Sequence, residues 1–232
     1  SGLHVVAAVL EYCGVKHYEV LVDEGAKVAA GKILITAQGN TQKILLAERT
    51  ALNFLSHLSG ISTLTSMWVA EVEGTKCQIR DTRKTTPGLR MLEKWAVSLG
   101  GAQNHRIGLY DMVMLKDNHV DSAGGITAAV EKTRKFLSEQ YLDLKIEVET
   151  RNMEEVNEAL SIGVDRIMLD NFNPTDLKEA LQRVPSEIET EASGGITLSN
   201  IRDYAETGVQ FISIGALTHS VKSLDLSLKA QF

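Results

Sequence analysis

Apolar positions along this chain recur at two different spacings, and the changes from one to the other outline its elements. Residues 1–14 hold an apolar run of helical character (Val5, Val6, Ala7, Val9, Leu10). From Glu19 to Glu48 the spacing shortens. Glu19–Val22 and Lys32–Thr36 read as strands, with turns at Asp23-Glu24-Gly25 and Gln38-Gly39-Asn40. Between Ile44 and Val72 the period is helical again (Leu45, Leu46, Leu52, Leu55, Leu58, Ile61, Leu64, Met67, Trp68), with Gly60 expected to break the helix. A domain boundary is placed near Ala51, giving domains at 1–51 and 52–220.

Beyond that boundary strand and helix alternate. The predicted strands are Lys76–Arg80, Met112–Leu115, Leu144–Val148, Arg166–Leu169, Glu187–Glu191 and Phe211–Ile214. The helices between them are Leu89–Leu99, Ile126–Phe136, Met153–Ser161, Pro174–Arg183 and Leu198–Glu206, with Pro174 and Ser199-Asn200 as helix starts. The last four strands recur every ~20–35 residues, the pitch of βα units in a parallel sheet or barrel. Upstream, the DEGxxVxxGxxL spacing from Asp23 is similar to that of biotinyl and lipoyl carrier domains. Those need a lysine at the turn tip, and Asp23-Glu24-Gly25 has none, so a plain sheet is preferred.

Each predicted strand is followed by a polar, charged or glycine-rich feature. In chain order these are Arg83 and Lys84, Lys116, Glu149, Asp170, Ser193-Gly194-Gly195, and Gly215-Ala216. In parallel α/β folds the C-terminal edge of the sheet is where active sites are built. Adjacent Arg83 and Lys84 at a strand end call for an anion. The two glycine-rich turns after the last strands can offer backbone N–H groups to a phosphate. Glu149 and Asp170 can share a metal or stabilise developing positive charge. The alternative is that they cap the following helices, together with Asn152 and Asn171. His105 and Arg106 add basic character in the loop before the second of these strands, and His119 is left open between structural and functional roles. Together these residues suit a polyanionic small substrate and a phosphorylated, Mg²⁺-bound sugar. No Ser–His–Asp order for a hydrolase is evident.

Composition narrows the setting. The chain has 232 residues, a net charge of −6 and two cysteines, Cys13 and Cys77, without CxxC or zinc-ligand spacing. The acidic balance weighs against broad nucleic-acid binding. No apolar stretch approaches the ~20 residues of a membrane span and no signal peptide opens the chain, so a cytoplasmic protein is expected.

The residues Glu48-Arg49-Thr50-Ala51-Leu52-Asn53, Asp81-Thr82-Arg83-Lys84-Thr85, Asn104-His105-Arg106, Lys116-Asp117-Asn118-His119, Glu147-Val148-Glu149, Leu169-Asp170-Asn171, Ala192-Ser193-Gly194-Gly195-Ile196 and Gly215-Ala216-Leu217-Thr218 resemble, in this order, the motifs of quinolinate phosphoribosyltransferase, the decarboxylating nicotinate-nucleotide pyrophosphorylase of NAD synthesis. The resemblance runs from about Leu10 to the C-terminus. It implies an N-terminal open α/β sandwich followed by an incomplete α/β barrel, with the tail 221–232 completing the first domain. Family members also carry further residues ahead of the point that matches Ser1. The implied reaction joins quinolinate to phosphoribosyl pyrophosphate with Mg²⁺, giving nicotinate mononucleotide, pyrophosphate and CO₂. By the family pattern Arg49, Arg83, His105, Arg106 and Lys116 hold the quinolinate carboxylates, with Lys84 and Thr85 beside both substrates. Glu149 and Asp170 face the ribose and its metal, directly or through water. Ser193, Gly194 and Gly195, with Ile214, Gly215 and Ala216, take the 5′-phosphate. Lys84, Lys116, Glu149 and Asp170 are the implied catalytic set. A homodimer with Arg49 reaching the neighbouring site is the implied assembly. A same-fold enzyme with another acceptor, such as nicotinate, and a non-catalytic phosphate-binding relative are the alternatives.

Overall fold

The computed structural model describes residues 1–231, which divide into two compact units. The first comprises Ser1–Met67, Lys84–Ala102 and the segment from Gly215 onward, and the second comprises Trp68–Arg83 and Gln103–Ile214. The units are therefore interleaved along the chain. Ala51 and Leu55 belong to the apolar core of the first unit.

In the first unit, α1 (Leu3–Tyr12) buries Leu3, Val6 and Leu10, one face of a helix, against Ala47, Ala51 and Leu55 of the long α2 (Thr41–Glu71). The Glu24 carboxylate accepts from Gly2 N at 2.6 Å and His4 N at 3.2 Å, placing an anion on the first turn of α1. Strands β1 (His17–Val20) and β2 (Ile35–Gln38) pair antiparallel, with Val20 opposite Ile35. They are displaced from the expected ranges, β1 starting two residues earlier and β2 three residues later. Gly25 and Gly31 take φ of 78° and 81°, so the chain between them turns twice and 21–34 forms a loop.

Gly60 does not break α2, which runs unbroken for 31 residues. A Cβ at Gly60 would stand 2.4 Å from the Lys222 carbonyl oxygen. Glycine is there to admit the C-terminal tail. The same tail is tied to α2 by Leu224 N donating to Ser56 O at 3.0 Å, and its Leu226 packs on the core.

The second unit holds six parallel strands: β3 (Gln78–Arg80), β4 (Val113–Leu115), β5 (Ile146–Thr150), β6 (Arg166–Asp170), β7 (Glu189–Ser193) and β8 (Phe211–Ser213). Their order is β3-β8-β7-β6-β5-β4. The first strand pairs with the last, as in a barrel, but among the described residues β3 and β4 do not close the ring. This is the incomplete α/β barrel the resemblance implies. Helix α3 (Arg90–Leu99) belongs to the first unit, and α4 (Asp117–Ala123), α5 (Ile126–Glu139), α6 (Met153–Ile162), α7 (Pro174–Leu181) and α8 (Ile201–Ala205) connect the later strands. Helix α4, with its polar DNHVDSA sequence, has no apolar period and was not predicted. Asn152 caps α6 by accepting from Glu155 N, and Asn173 caps α7 ahead of Pro174. Neither Glu149, Asp170 nor Asn171 does this work; Asn171 instead adopts φ 59°. No helix among the described residues is long and apolar enough to cross a membrane.

Candidate active site

Because all six strands are parallel, their C-terminal ends share one edge of the sheet. That edge carries Lys116 after β4, Glu149 in β5, Asp170 at the end of β6, Ser193 at the end of β7 and Ile214 after β8. Lys116 Nζ donates to Glu149 Oε2 at 2.7 Å; Glu149 is buried and Lys116 half-exposed. Asp170 lies in register with Ser193, and its Oδ2 accepts from Asn171 Nδ2 at 2.6 Å. Two carboxylates on adjacent strands are hard oxygen donors of the kind Mg²⁺ takes alongside substrate phosphates.

The turn after β7 is built for close approach. Gly194 and Gly195 have φ of 87° and 65°, and a Cβ on Gly194 would lie 2.2 Å from Asn171 Oδ1. Only glycine lets this backbone pass Asn171, and the same lack of side chain leaves N–H groups open to an anion. Gly215 differs. Its φ is −67°, so it is not a left-handed turn. Its surroundings are tight, with His219 and the Lys84 side chain 3.0 and 3.1 Å from where a Cβ would be.

Behind the edge lies a set of charges not singled out in the sequence. Glu147, Arg166 and Glu189 are in register on β5, β6 and β7, and Glu191 stands two residues further along β7. Arg166 Nη1 lies 3.3 Å from Glu147 and 3.6 Å from Glu191. Arg80 pairs with Glu191 at 3.2 Å and stacks on Phe211, 3.2 Å from the ring centroid. Glu147 and Glu191 are fully buried. Burial works against the Glu191 charge but is outweighed by His105, Arg80 and Arg166, which hold Glu191 below its ordinary value. Burial and the Glu191 charge push Glu147 up. His105, Glu147 and Glu191 lie close enough together to hold a metal. Two guanidinium groups already answer those carboxylates, so a cation has little to gain there. The signal in the sequence was charges of both signs inside otherwise apolar strands.

The loop carrying Arg106 hangs on this interior. Asp81, fully buried, accepts from His105 N at 2.7 Å, and Arg106 Nη1 donates to Met112 O at 3.1 Å. Asp111 accepts from Ile107 N and Gly108 N, closing the loop. Arg106 is held below its ordinary value first by burial and then by the nearby Arg83 charge. Two neighbouring guanidinium groups could together hold an anion. His105 meets the interior charges. Its Nε2 lies 3.2 Å from Glu147 and 3.3 Å from Glu191, and its Nδ1 accepts from Arg106 N at 2.7 Å. Nδ1 is thus taken up by the Arg106 backbone, while Nε2 faces two buried carboxylates. His119 serves the start of α4, where its Nδ1 accepts from Lys116 N at 2.9 Å.

The remaining expected residues fall in the first unit. Lys84 and Thr85 line a pocket with His57, Thr86, Thr218 and His219. Thr218 Oγ1 donates to Lys84 O at 2.8 Å, and fully buried Glu93 accepts from Thr86 N at 3.0 Å while pairing with His57 at 2.9 Å. Ala216 opens the short α9 (Ala216–His219). Arg49 is exposed on α2, near Leu45 and Leu46, which are themselves 57% and 71% exposed.

Comparison with known proteins gives this arrangement its context. The family model described as quinolinate phosphoribosyl transferase, N-terminal domain, matches residues 1–59, and that for the C-terminal domain matches residues 61–229. A chloroplastic nicotinate-nucleotide pyrophosphorylase [carboxylating] of Arabidopsis thaliana is 47% identical over 89% of this chain, which spans 63% of that relative's length. The enzyme of the same name from Mycobacterium leprae is 44% identical over 98% of this chain and 81% of its own. The structure of the nicotinate-nucleotide pyrophosphorylase from Francisella tularensis superposes with a TM-score of 0.94 at 40% identity, covering 100% of this chain and 81% of that one. With both of its domain families matched end to end, the chain belongs to the quinolinate phosphoribosyl transferase family.

Proposed function

We propose that the protein transfers the phosphoribosyl group of phosphoribosyl pyrophosphate to quinolinate with loss of CO₂, giving nicotinate mononucleotide and pyrophosphate. The observation that carries this reading is the order of charges along one sheet edge. Lys116 after β4, the carboxylates of Glu149 on β5 and Asp170 on β6, and the tight glycine turn after β7 (Ser193 to Gly195) follow one another along it, with the neighbouring guanidinium groups of Arg83 and Arg106 in the loops after β3 and before β4. A dianion needs several cations in a partly desolvated site, and arginine offers paired donors to a carboxylate. Departure of pyrophosphate leaves positive charge on the ribose, so carboxylates beside the ribose act where charge appears. Ribosylation makes the pyridine ring cationic, which lets it accept the electron pair of the departing carboxylate.

In this reading Arg83, Arg106 and Lys116 bind the carboxylates, with Arg49 supplied by a second subunit of a homodimer. Lys84 and Thr85 serve both substrates. Ser193, Gly194, Gly195, Ile214, Gly215 and Ala216 receive the 5′-phosphate. Glu149 and Asp170 would hold Mg²⁺, which would supply positive charge against the pyrophosphate leaving group. A cytoplasmic location accords with the two free cysteines, Cys13 and Cys77. The test is turnover with quinolinate or nicotinate as acceptor, following release of pyrophosphate and CO₂ in the presence of Mg²⁺. Release of both products with quinolinate alone is expected. Comparable turnover on nicotinate would overturn the dicarboxylate assignment.

A further inference from the structure

We propose that His105 is a positioning residue: a neutral imidazole that holds the Arg106 backbone on Nδ1 while Glu147 and Glu191 fix its single proton on Nε2. The geometry is set on three sides. The peptide N–H of Arg106 points at Nδ1 from 2.7 Å. Carboxylate oxygens of Glu147 and Glu191 lie 3.2 and 3.3 Å from Nε2. The His105 amide itself is pinned by Asp81 at 2.7 Å. The ring is buried, so water cannot replace any of these partners.

Two influences on the ring oppose each other. Burial disfavours the imidazolium, but the two glutamates more than offset it and push His105 up to about 9. An imidazolium, however, carries a proton on both nitrogens. It would set Nδ1–H against the Arg106 N–H at 2.7 Å, donor against donor in a dry interior. The Arg106 amide is backbone, held by the Asp81 and Asp111 contacts on either side, and it cannot turn away. The amide decides the matter for the neutral ring. The glutamates then select the tautomer, because two carboxylates require the proton on Nε2. Arg80 and Arg166 answer the carboxylate charge, at 3.2 Å from Arg80 to Glu191 and 3.3 Å from Arg166 to Glu147, so no positive charge is needed on His105.

The consequence is a line of fixed contacts from the barrel interior to one binding guanidinium. Arg80 and Arg166 order Glu191 and Glu147, these order His105, and His105 sets the backbone from which Arg106 projects. The substrate side of this inference rests on the proposed function, in which Arg106 binds one carboxylate of a pyridine dicarboxylate.

The experiment is nitrogen-15 NMR of the histidine side chains in the wild-type protein near neutral pH, with and without quinolinate. The expected result is an unprotonated Nδ1, a protonated Nε2 and a scalar coupling from Nδ1 to the Arg106 amide nitrogen, all three surviving addition of quinolinate. An imidazolium signature, the opposite tautomer, or loss of the coupling on binding would overturn the proposal. In the kinetic arm, His105→Gln and His105→Phe should raise KM for quinolinate about tenfold, the worth of one lost buried hydrogen bond. KM for phosphoribosyl pyrophosphate should stay unchanged. An unchanged quinolinate KM in either folded variant would also overturn the proposal, and if neither variant folds the wild-type spectrum decides. A wild-type protein that binds no quinolinate defeats the proposed function, while the spectrum still reads the tautomer.

Discussion

Lys116 and Glu149 face each other across two adjacent parallel strands, with Nζ 2.7 Å from Oε2. The cation assigned to one substrate and the carboxylate assigned to the other thus hold one another in place at the sheet edge. Lys116 is half-exposed and Arg106 projects from a loop, so neither contributes to the apolar core. Lys116→Ala and Arg106→Ala should each weaken quinolinate binding on the order of tenfold or more, the effect of losing a charge-assisted hydrogen bond. Circular dichroism should show native secondary structure in both. Calorimetric titration with unchanged affinity in the two variants would remove these residues from the site.

Asp170→Asn should lower turnover far more than it weakens quinolinate binding. The amide keeps the shape and the neighbouring Asn171 contact but loses the negative charge that answers the developing ribosyl cation. Turnover untouched at saturating substrates and Mg²⁺ would show that the charge has no such part.

Glu191 tests the interior. It is fully buried and meets Arg80, Arg166 and His105. Removing one partner of a buried ionic cluster leaves charge without compensation, so Glu191→Ala should cost about 3–5 kcal/mol of stability. Urea denaturation measures it. A loss below about 1 kcal/mol, the level of an exposed pair, would mean water reaches these groups.

The sheet edge was legible because each strand of the second unit is an apolar run that stops at a charge or a glycine, and those stops mark strand ends whatever the strand order. The interior network was not. Arg80, Glu147, Arg166 and Glu191 gain their meaning from register across strands, and register is absent from a linear pattern. The neighbours of His105, Glu147 and Glu191, were hidden for the same reason. Interleaving of the two units was equally hidden, since local periodicity says nothing about which distant segments pack together. Gly60 was read by its helix propensity, whereas its real constraint comes from Lys222, far along the chain.

That constraint reverses a general rule. Glycine inside a helix is ordinarily worse than alanine by about 1 kcal/mol, so Gly→Ala usually stabilises. At Gly60 the new methyl would meet the Lys222 carbonyl at 2.4 Å and the Val221 side chain at 2.9 Å. Gly60→Ala should therefore lower the melting temperature and loosen the tail. Limited proteolysis around Lys222 gives a second readout. A stabilised variant with an intact tail would show that the tail does not depend on this approach.

Arg49 carries the last expectation, that each active site is completed across a subunit boundary. It is exposed on α2, close to exposed Leu45 and Leu46, where a cation and apolar surface together suit a contact with a second copy. The competing view is a solvated arginine with no functional weight, worth ~0–1 kcal/mol at most in a surface pair. Subunit mixing separates the two. Arg49→Ala and Lys116→Ala proteins, each nearly inactive alone, are unfolded together, refolded and assayed. If sites are shared, a mixed dimer has one site with both lesions and one with neither, and half of randomly paired dimers are mixed, so activity returns toward roughly a quarter of wild type. If Arg49 serves its own subunit, every site keeps one lesion and the mixture stays inactive.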